Sequence, residues 1–166
     1  MQRWSVRGLW GGVLVMMMSA CTAGGGAAAP LEEAREEIDA LVVELQEAVA
    51  LDEDLSWEGP TGEALAEDDE GICRWRPGEW TTELALPEDD PGWAEREQRL
   101  DAVLQEHGLD ALGDPGYTGG SAYGFETAGP AGGVLRIDSW KGVTTIRLHG
   151  LEVEVDSDCG ESSLTR

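Results

Sequence analysis

Apolar residues recur at helical spacing in two segments of this chain. The first segment follows Pro30 and covers residues 31–50. Proline at the first position, with Glu32 and Glu33 in the first turn, suits a helix N-terminus. The repeat covers fewer than three heptads, so we interpret the apolar face as part of a core rather than a coiled coil. The apolar positions are Leu31, Ala34, Ile38, Leu41, Val42, Leu45, Ala48 and Val49.

The second helical segment begins in the acidic stretch PEDDPGW and is predicted to end at Gly108. Asp90 is expected to cap the N-terminus of this helix, and Pro91 to occupy its first position. Glu95 and Arg99 have the spacing of a favourable ion pair one turn apart. The expected buried face consists of Trp93, Leu100, Val103 and Leu104.

Alternating apolar and polar residues predict strands elsewhere in the chain. The stretch GICRWRPGEWTTELAL indicates two strands around Pro77-Gly78, with a connection wider than a two-residue turn. In that arrangement Trp75 and Trp80 form a cross-strand pair beside Cys73, which packs in the core or, if exposed, serves as a binding platform. The acidic segment 51–71 is expected to be a surface loop with a short strand near its middle, at the tryptophan.

The last third of the chain predicts a strand in SAYGFET followed by a three-stranded meander. The expected turns lie at Lys141-Gly142 and at His149-Gly150. Both turns put the same residues on one face, which is the consistency that a real sheet requires. The predicted pairs are Ile137 with Ile146, Leu135 with Leu148, Leu148 with Leu151, and Ile146 with Val153.

The opposite face of this meander is expected to hold Arg136, Arg147 and Glu152, with Arg147 facing Glu152 across the ladder. Taken together, these elements predict an α+β fold in which two helices pack on one face of a mostly antiparallel sheet. The predicted order is α-β-β-α-β-β-β-β.

An apolar run near the start of the chain is too short to cross a bilayer. Arg3 and Arg7 precede ten residues from Leu9 to Met18, whereas a spanning helix needs about twenty. A basic segment followed by a short apolar run is typical of a secretory signal. The small residues that follow offer no amphipathic continuation, which argues against a core helix. Residues 1–20 are therefore interpreted as an export signal.

Met18-Ser19-Ala20-Cys21 resembles the lipobox of bacterial prolipoproteins, with Met where leucine is more usual. The resemblance implies a diacylglyceryl group on the Cys21 thiol, cleavage before Cys21, and an amine that is open to further acylation. The membrane would then be a partner of the protein, because two acyl chains anchor a chain stably. Residues 21–30 form a flexible tether that ends at Pro30, and residues 31–166 form one domain. The alternative is ordinary secretion with an unmodified Cys21 thiol.

The chain is strongly acidic, with 11 Lys and Arg residues against 34 Asp and Glu residues and a formal charge of -23. Nucleic acid is excluded as a partner on the sign of this charge, because phosphates need basic side chains. Anionic lipid headgroups would also repel the protein, so membrane attachment requires something other than basic residues. We interpret the charge as a source of solubility.

Cys73 and Cys159 remain as a pair once Cys21 is assigned to lipid. Exported proteins favour disulfides, and closing a loop of this length stabilises a fold by about 4 to 5 kcal/mol in the chain-entropy model. The alternation of side chains along the strands directs both cysteines towards the same core. A disulfide bond between the first strand pair and the last strand is therefore expected.

The sequence lacks a strong catalytic or metal-binding motif. Residues 52–63 imitate the ligand spacing of a calcium loop, but Trp57 stands where that loop needs glycine. The stretch around Ser121 is not a nucleophile elbow, because a tyrosine replaces the final glycine. The histidines His107 and His149 lack zinc spacing. We therefore predict no metal, no cofactor and no catalytic residue, and hence a protein that is not an enzyme.

The layout of the chain resembles small actinobacterial lipoproteins of the LppA-like kind, with a lipobox, a tether of small residues, one cysteine pair, and helices alternating with strands. The resemblance implies a place on the extracytoplasmic face of the cell membrane. The predicted role is non-catalytic binding of an envelope protein, a cell-wall component or a small molecule. The alternative is an envelope hydrolase that uses carboxylates. A deep pocket with two carboxylates of raised pKa would favour the hydrolase, whereas an exposed tryptophan patch would favour binding.

Overall fold

A computed structural model describes residues 28–156, 159–160 and 164 of the protein. Its helices are α1 (Leu31–Ala50) and α2 (Trp93–Glu106), and a short 3-10 turn covers Pro130–Gly132. The strands are β1 (Ala29–Pro30), β2 (Trp57–Thr61), β3 (Ala64–Glu67), β4 (Cys73–Arg76), β5 (Gly78–Thr82), β6 (Gly116–Gly119), β7 (Ala122–Ala128), β8 (Val134–Trp140), β9 (Val143–His149) and β10 (Leu151–Glu154).

These strands form a four-stranded sheet in the order β1-β10-β4-β3 and a six-stranded sheet in the order β2-β5-β9-β8-β7-β6. Strand β1 is parallel to β10, and the other pairings are antiparallel. The predicted α+β class, with a mostly antiparallel arrangement, is confirmed. Strands β1, β3 and β6 were not predicted.

The two sheets share a ribbon that bends at Pro77 and Gly150. Strand β4 continues into β5 past Pro77, and β9 continues into β10 past Gly150, while β4 pairs with β10 and β5 pairs with β9. The predicted strand reversals at Pro77-Gly78 and His149-Gly150 are therefore wrong. Pro77 lacks the amide that a ladder needs, and Gly78 and Gly150 have φ values of 125° and 75°, which glycine tolerates best. These residues bend a ribbon instead of closing hairpins.

The bend at Pro77 separates the two tryptophans that were expected to pair. Trp75 lies opposite Leu151 in the four-stranded sheet, and Trp80 lies opposite Ile146 in the six-stranded sheet. They are 3% and 7% exposed, respectively. The prediction of a cross-strand pair is therefore wrong, and both rings belong to the core rather than to a binding platform.

The bend at Gly150 likewise separates Arg147 from Glu152. Arg147 lies opposite Glu79 on β5, whereas Glu152 lies opposite Arg74 on β4. The expected Arg147–Glu152 pair is wrong because β10 leaves the six-stranded sheet before it can return along β9.

The hairpin between β8 and β9 has the predicted register. Ile137 lies opposite Ile146, and Leu135 lies opposite Leu148. Lys141 and Gly142 connect the strands with φ values of 51° and 87°. Two positive φ values are typical of a type I′ turn, whose twist matches that of the strands.

Both helices pack on one face of the six-stranded sheet, as predicted. The core cluster joins Ile38 and Leu45 of α1, Leu100 and Leu104 of α2, and Ile146 of β9. All five side chains are at most 2% exposed. Burial of this apolar area is the main source of stability for the domain.

Helix α2 begins later than the sequence predicts. Its N-cap is Gly92 instead of Asp90, because Asp90 accepts a hydrogen bond from the Gly92 amide at 2.7 Å and closes a turn before the helix. The predicted ion pair between Glu95 and Arg99 is confirmed, with 3.0 Å between the charged atoms.

Arg96 is an unpredicted buried residue of α2, with 4% exposure. Its Nε atom donates to the carbonyl oxygen of Val49 at 2.8 Å, in the last turn of α1. The same guanidinium lies 3.4 Å from Glu53. Carbonyl groups at the end of a helix lack intrahelical partners, so a cation is favourable there. Arg96 therefore connects the two helices at the C-terminus of α1.

The sulfur atoms of Cys73 and Cys159 lie at disulfide distance, with their Cα atoms 5.6 Å apart. Cys73 begins β4, and Cys159 follows β10, the neighbour of β4. A bond between them would close a sequence separation of 86 residues within the four-stranded sheet.

Candidate functional site

One face of the six-stranded sheet points away from the helices. Side chains alternate along a strand, so Leu135 and Ile137 of β8 face the core while the residues between them face outward. The outward residues of β8 and β9 are hereafter called the open face. They are Arg136, Asp138, Trp140, Val143, Thr145 and Arg147.

A row of four charged residues crosses this part of the sheet. Glu126, Arg136, Arg147 and Glu79 lie opposite one another on β7, β8, β9 and β5. Arg147 donates to Glu79 from Nε at 2.8 Å and from Nη2 at 3.3 Å. Arg136 donates to Glu126 from Nε at 2.8 Å and also from Nη2. The hydrogen bond to Glu79 raises the pKa of Arg147, which favours its charged guanidinium.

A polar group lies beside the charged row. Asp138 is 5% exposed and lies opposite Thr145 on β9. Thr118 of β6 donates from Oγ1 to Asp138 Oδ2 at 3.0 Å. Opposite Asp138 on β7 is Gly124, where a Cβ atom would overlap the carbonyl oxygen of Ile137. Glycine therefore keeps β7 close against β8 next to the carboxylate.

An apolar group forms the other end of the open face. Trp140 is 51% exposed, and its partner Val143 is 38% exposed. The ammonium of Lys141 lies 4.2 Å from the centroid of the Trp140 ring, which is the geometry of a cation–π contact. Most tryptophans in proteins are largely buried, so the exposed ring makes Trp140 a candidate for contact with a ligand.

The open face and the turn between β6 and β7 enclose a pocket of about 530 Å³. Its lining includes the three basic residues Arg136, Lys141 and Arg147. Asp138 is the carboxylate of this lining, and Ser121 of the turn contributes a hydroxyl group. The pocket thus offers hydrogen-bond donors, acceptors and an aromatic plane, which suit a polar ligand with one apolar side.

The lining of this pocket has one carboxylate, Asp138, whereas most glycoside hydrolases use a pair of carboxyl groups that flank the scissile bond. The residues described between 28 and 156 and at 159, 160 and 164 contain no His, Cys, Asp and Glu group of three that could hold a metal ion.

The structure describes some of the residues singled out in the sequence and leaves others outside its range. Cys21 and the predicted export signal lie outside the described residues. The last two residues of the predicted tether form β1, at the edge of the four-stranded sheet. Arg136 and Arg147 share a face, as expected, but Glu152 does not join them.

The sequence missed the exposed tryptophan of this face. Trp75 and Trp80 are buried, in line with the expectation of core packing, whereas Trp140, for which no prediction was made, is the exposed ring. The signal for Trp140 was present, because it lies an odd number of residues from the inward-facing Ile137. The pocket around it could not be predicted, since the unpredicted strand β6 carries the turn that forms one wall.

The fold and the open face define an α+β protein with one sheet face turned away from its helices. No protein-family model matches the chain, and no curated protein matches it. The fold is similar to that of a DUF4853 family protein from Actinomyces odontolyticus ATCC 17982, known from a crystal structure. The TM-score is 0.50 at 11% sequence identity, over 81% of this chain and 73% of that chain. At this identity the likeness concerns the fold alone.

Within the part of the chain that the structure describes, neither helix has both the length and the apolar composition needed to cross a membrane.

Proposed function

We propose that this protein is a lipoprotein of the small actinobacterial, LppA-like kind, anchored in the cell membrane through Cys21. Its domain works on the extracytoplasmic face as a non-catalytic binding protein, and the open face of the six-stranded sheet binds an envelope component. The proposal has two parts, an anchor and a binding surface, and each is tested separately.

The anchor is supported by the leader of the chain. A basic start, a short apolar run and a cysteine after two small residues have the order that lipid modification requires. The cysteine pair Cys73–Cys159 at disulfide distance is in keeping with an oxidising compartment outside the cytoplasm.

The binding role rests on one observation, the exposed Trp140 in a pocket lined by three basic side chains of a chain with a charge of -23. A large aromatic ring at the surface costs hydrophobic free energy unless a ligand covers it. Basic residues are scarce in this chain, so their clustering around the ring favours a recognition role over a solvated surface. The lining contains one carboxylate, Asp138, which favours binding over the hydrolase alternative.

Cell fractionation tests the anchor. Wild-type protein and a Ser19→Ala variant, which keeps a small residue before the cysteine, should remain with the membrane until detergent is added. A Cys21→Ser variant that also carries Trp140→Ala, and so lacks the proposed open-face contact, should appear in the medium, because it cannot receive the lipid. Membrane retention of this double variant would show that the anchor is elsewhere.

Co-sedimentation with isolated cell envelopes tests the binding surface. The Cys21→Ser protein should sediment with envelopes, and the additional change Trp140→Ala should abolish most of this binding. Val43→Ala is the matched control, since Val43 is 55% exposed but lies on α1. Equal sedimentation of the Trp140→Ala and Val43→Ala proteins would refute a role for the open face.

A further inference from the structure

Two arginines face each other at the centre of the charged row. Arg136 lies directly opposite Arg147, although like charges in opposed positions destabilise a sheet. Glu126 and Glu79 hold these arginines from the outer strands, so both positive charges stay in the middle. An arrangement that places like charges side by side becomes favourable when an anion lies between them.

Both guanidinium groups keep donors that the glutamates do not use. Each arginine donates to its glutamate through Nε and Nη2, and each Nη1 has no hydrogen-bond partner among the described residues. Nη1 of Arg147 forms an ion pair with Asp138 Oδ2 at 3.8 Å, a distance that is too long for a hydrogen bond and leaves its N–H donors available. Guanidinium groups match the geometry of planar carboxylates. The two Nη1 groups therefore suit a carboxylate that lies over the middle of the row.

Trp140 lies four residues along β8 from Arg136, a span of about 13 Å at the rise of an extended strand. Asp138 and Thr145 lie between them and offer acceptors and a hydroxyl group. A sugar ring has an apolar C–H side that packs on an indole and hydroxyl groups that bond to such side chains. The span exceeds a single ring, so a ring on Trp140 and a carboxylate on the arginines belong to neighbouring sugar units.

We propose that the open face binds a short oligosaccharide that carries a carboxylate, with one sugar ring on Trp140 and the carboxylate of the next unit between Arg136 and Arg147. This inference rests on the proposed binding function and names its ligand class. Asp138 and Thr145 bind the ring hydroxyl groups between the two ends.

The charge of the surroundings limits the ligand to a short one. Beyond Val143 the surface continues into a second depression lined by Asp54, Glu58 and Glu83. A chain of many carboxylates would meet these residues and the overall charge of -23, which repel it. A single carboxylate at the arginine end lies away from the second depression and is repelled less by the overall charge than a chain of many carboxylates.

Titration calorimetry on the full-length protein in a neutral detergent tests the ligand class. The probes are the disaccharide glucuronosyl-glucose and cellobiose, which has the same two rings without the carboxylate. The acidic disaccharide should bind about tenfold more tightly, the ratio expected when one carboxylate gains charge-assisted hydrogen bonds. Acetate alone should bind much more weakly than either sugar, because it cannot reach Trp140.

Variants assign each end of the ligand to its residues. Trp140→Ala should weaken both disaccharides by at least about tenfold. The double change Arg136→Gln and Arg147→Gln should remove the preference for the acidic disaccharide, so that this variant binds it no more tightly than it binds cellobiose. Arg99→Gln is the matched control, because Arg99 is also a half-buried, ion-paired arginine but lies on α2. Near-ultraviolet circular dichroism identifies any variant that has lost its packing. If the glutamine pair has, the double change Arg136→Lys and Arg147→Lys replaces it, and it should reduce the preference because an ammonium group lacks the planar fork of a guanidinium.

Four results would overturn the inference. They are equal binding of the two disaccharides by wild-type protein, an unchanged preference in a folded arginine variant, acetate binding as tight as that of the acidic disaccharide, and tighter binding of a long polyglucuronate. Any of these leaves the anchor and the envelope-binding tests unaffected, so failure of the ligand class is distinguishable from failure of the proposed function. A fifth result, tighter binding of glucose 6-phosphate than of the acidic disaccharide, would show that the anion is a phosphate instead of a carboxylate.

Discussion

Replacement of Arg96 by methionine tests how much the buried contact between the two helices contributes to stability. Methionine keeps the unbranched length and helix propensity of arginine but removes the charge and the donors. The carbonyl oxygen of Val49, now 2.8 Å from the arginine Nε, would lose its partner at the C-terminus of α1. Because Arg96 is only 4% exposed, water cannot readily replace the lost donor.

The size of the effect follows from the type of bond. Hydrogen bonds to charged groups contribute about 1.5 to 3 kcal/mol, and the neighbouring contact to Glu53 is longer, at 3.4 Å. We therefore expect the Arg96→Met variant to lose about 2 kcal/mol of unfolding free energy. For a chain of this size that loss corresponds to a fall in Tm of about 4 to 8 °C.

Guanidinium denaturation followed by tryptophan fluorescence measures this loss, since Trp75, Trp80 and Trp93 are all buried and report on unfolding. Arg99→Met is the control, because Arg99 lies on the same helix with surface ion pairs to Glu95 and Asp52. Such pairs contribute little, so the control should unfold close to the wild type. Equal midpoints for the two variants would refute the stabilising role of the Arg96 bond.

Three other perturbations give separate tests of the fold. Replacement of both Cys73 and Cys159 by serine should lower the unfolding free energy by about 4 to 5 kcal/mol in the chain-entropy model, and an oxidised wild type no more stable than the variant would contradict a bond across 86 residues. Gly124→Ala should cost about 2 to 3 kcal/mol, because the new methyl group overlaps a backbone oxygen, whereas Gly116→Ala, with open space around it, should not shift the thermal midpoint measurably. Hydrogen bonds from the Ile72 amide and the Arg74 guanidinium lower the pKa of Asp68 below its ordinary value of 3.8. The Asp68 carboxylate therefore contributes fully to the free energy of unfolding above pH 3.8, and this contribution is lost as the pH falls through the lower pKa of the folded state. The difference in midpoint between wild type and Asp68→Asn should shrink in that acid range, and a constant difference would show that the ionised carboxylate is not the stabilising form.

The sequence predicts local pairings well and distant ones poorly in this protein. The register of β8 and β9 follows from the alternation of apolar residues around Lys141-Gly142, since a tight turn brings neighbouring residues together. Pro77 and Gly150 carry the same turn signals, yet they bend a ribbon. The distinction depends on the pairing of β4 with β10, which are more than 70 positions apart, and no local pattern records that partner.

The burial of Arg96 shows the same limit at the level of one side chain. On α2 alone, the helical spacing places Arg96 on the same face as Trp93 and Leu100, but a charged side chain is not expected in an apolar stripe. It becomes buried because the last turn of α1 ends beside it and presents the carbonyl of Val49. The unpartnered groups at a helix end were predictable in principle, but the helix that satisfies them is fixed by tertiary packing.

The bent ribbon also separates the proposed anchor from the proposed binding surface. Residues Ala29–Pro30, at the end of the tether, pair with β10 at the edge of the four-stranded sheet, whereas the open face belongs to the six-stranded sheet. Because the ribbon bends at Pro77 and Gly150, the tether joins the domain at a different sheet from the one that carries Trp140. This separation suits a binding protein that is held at a membrane, since a tether joined to the open face would bring that face against the lipid headgroups. The two halves of the proposal are therefore compatible in one fold, although each rests on different residues.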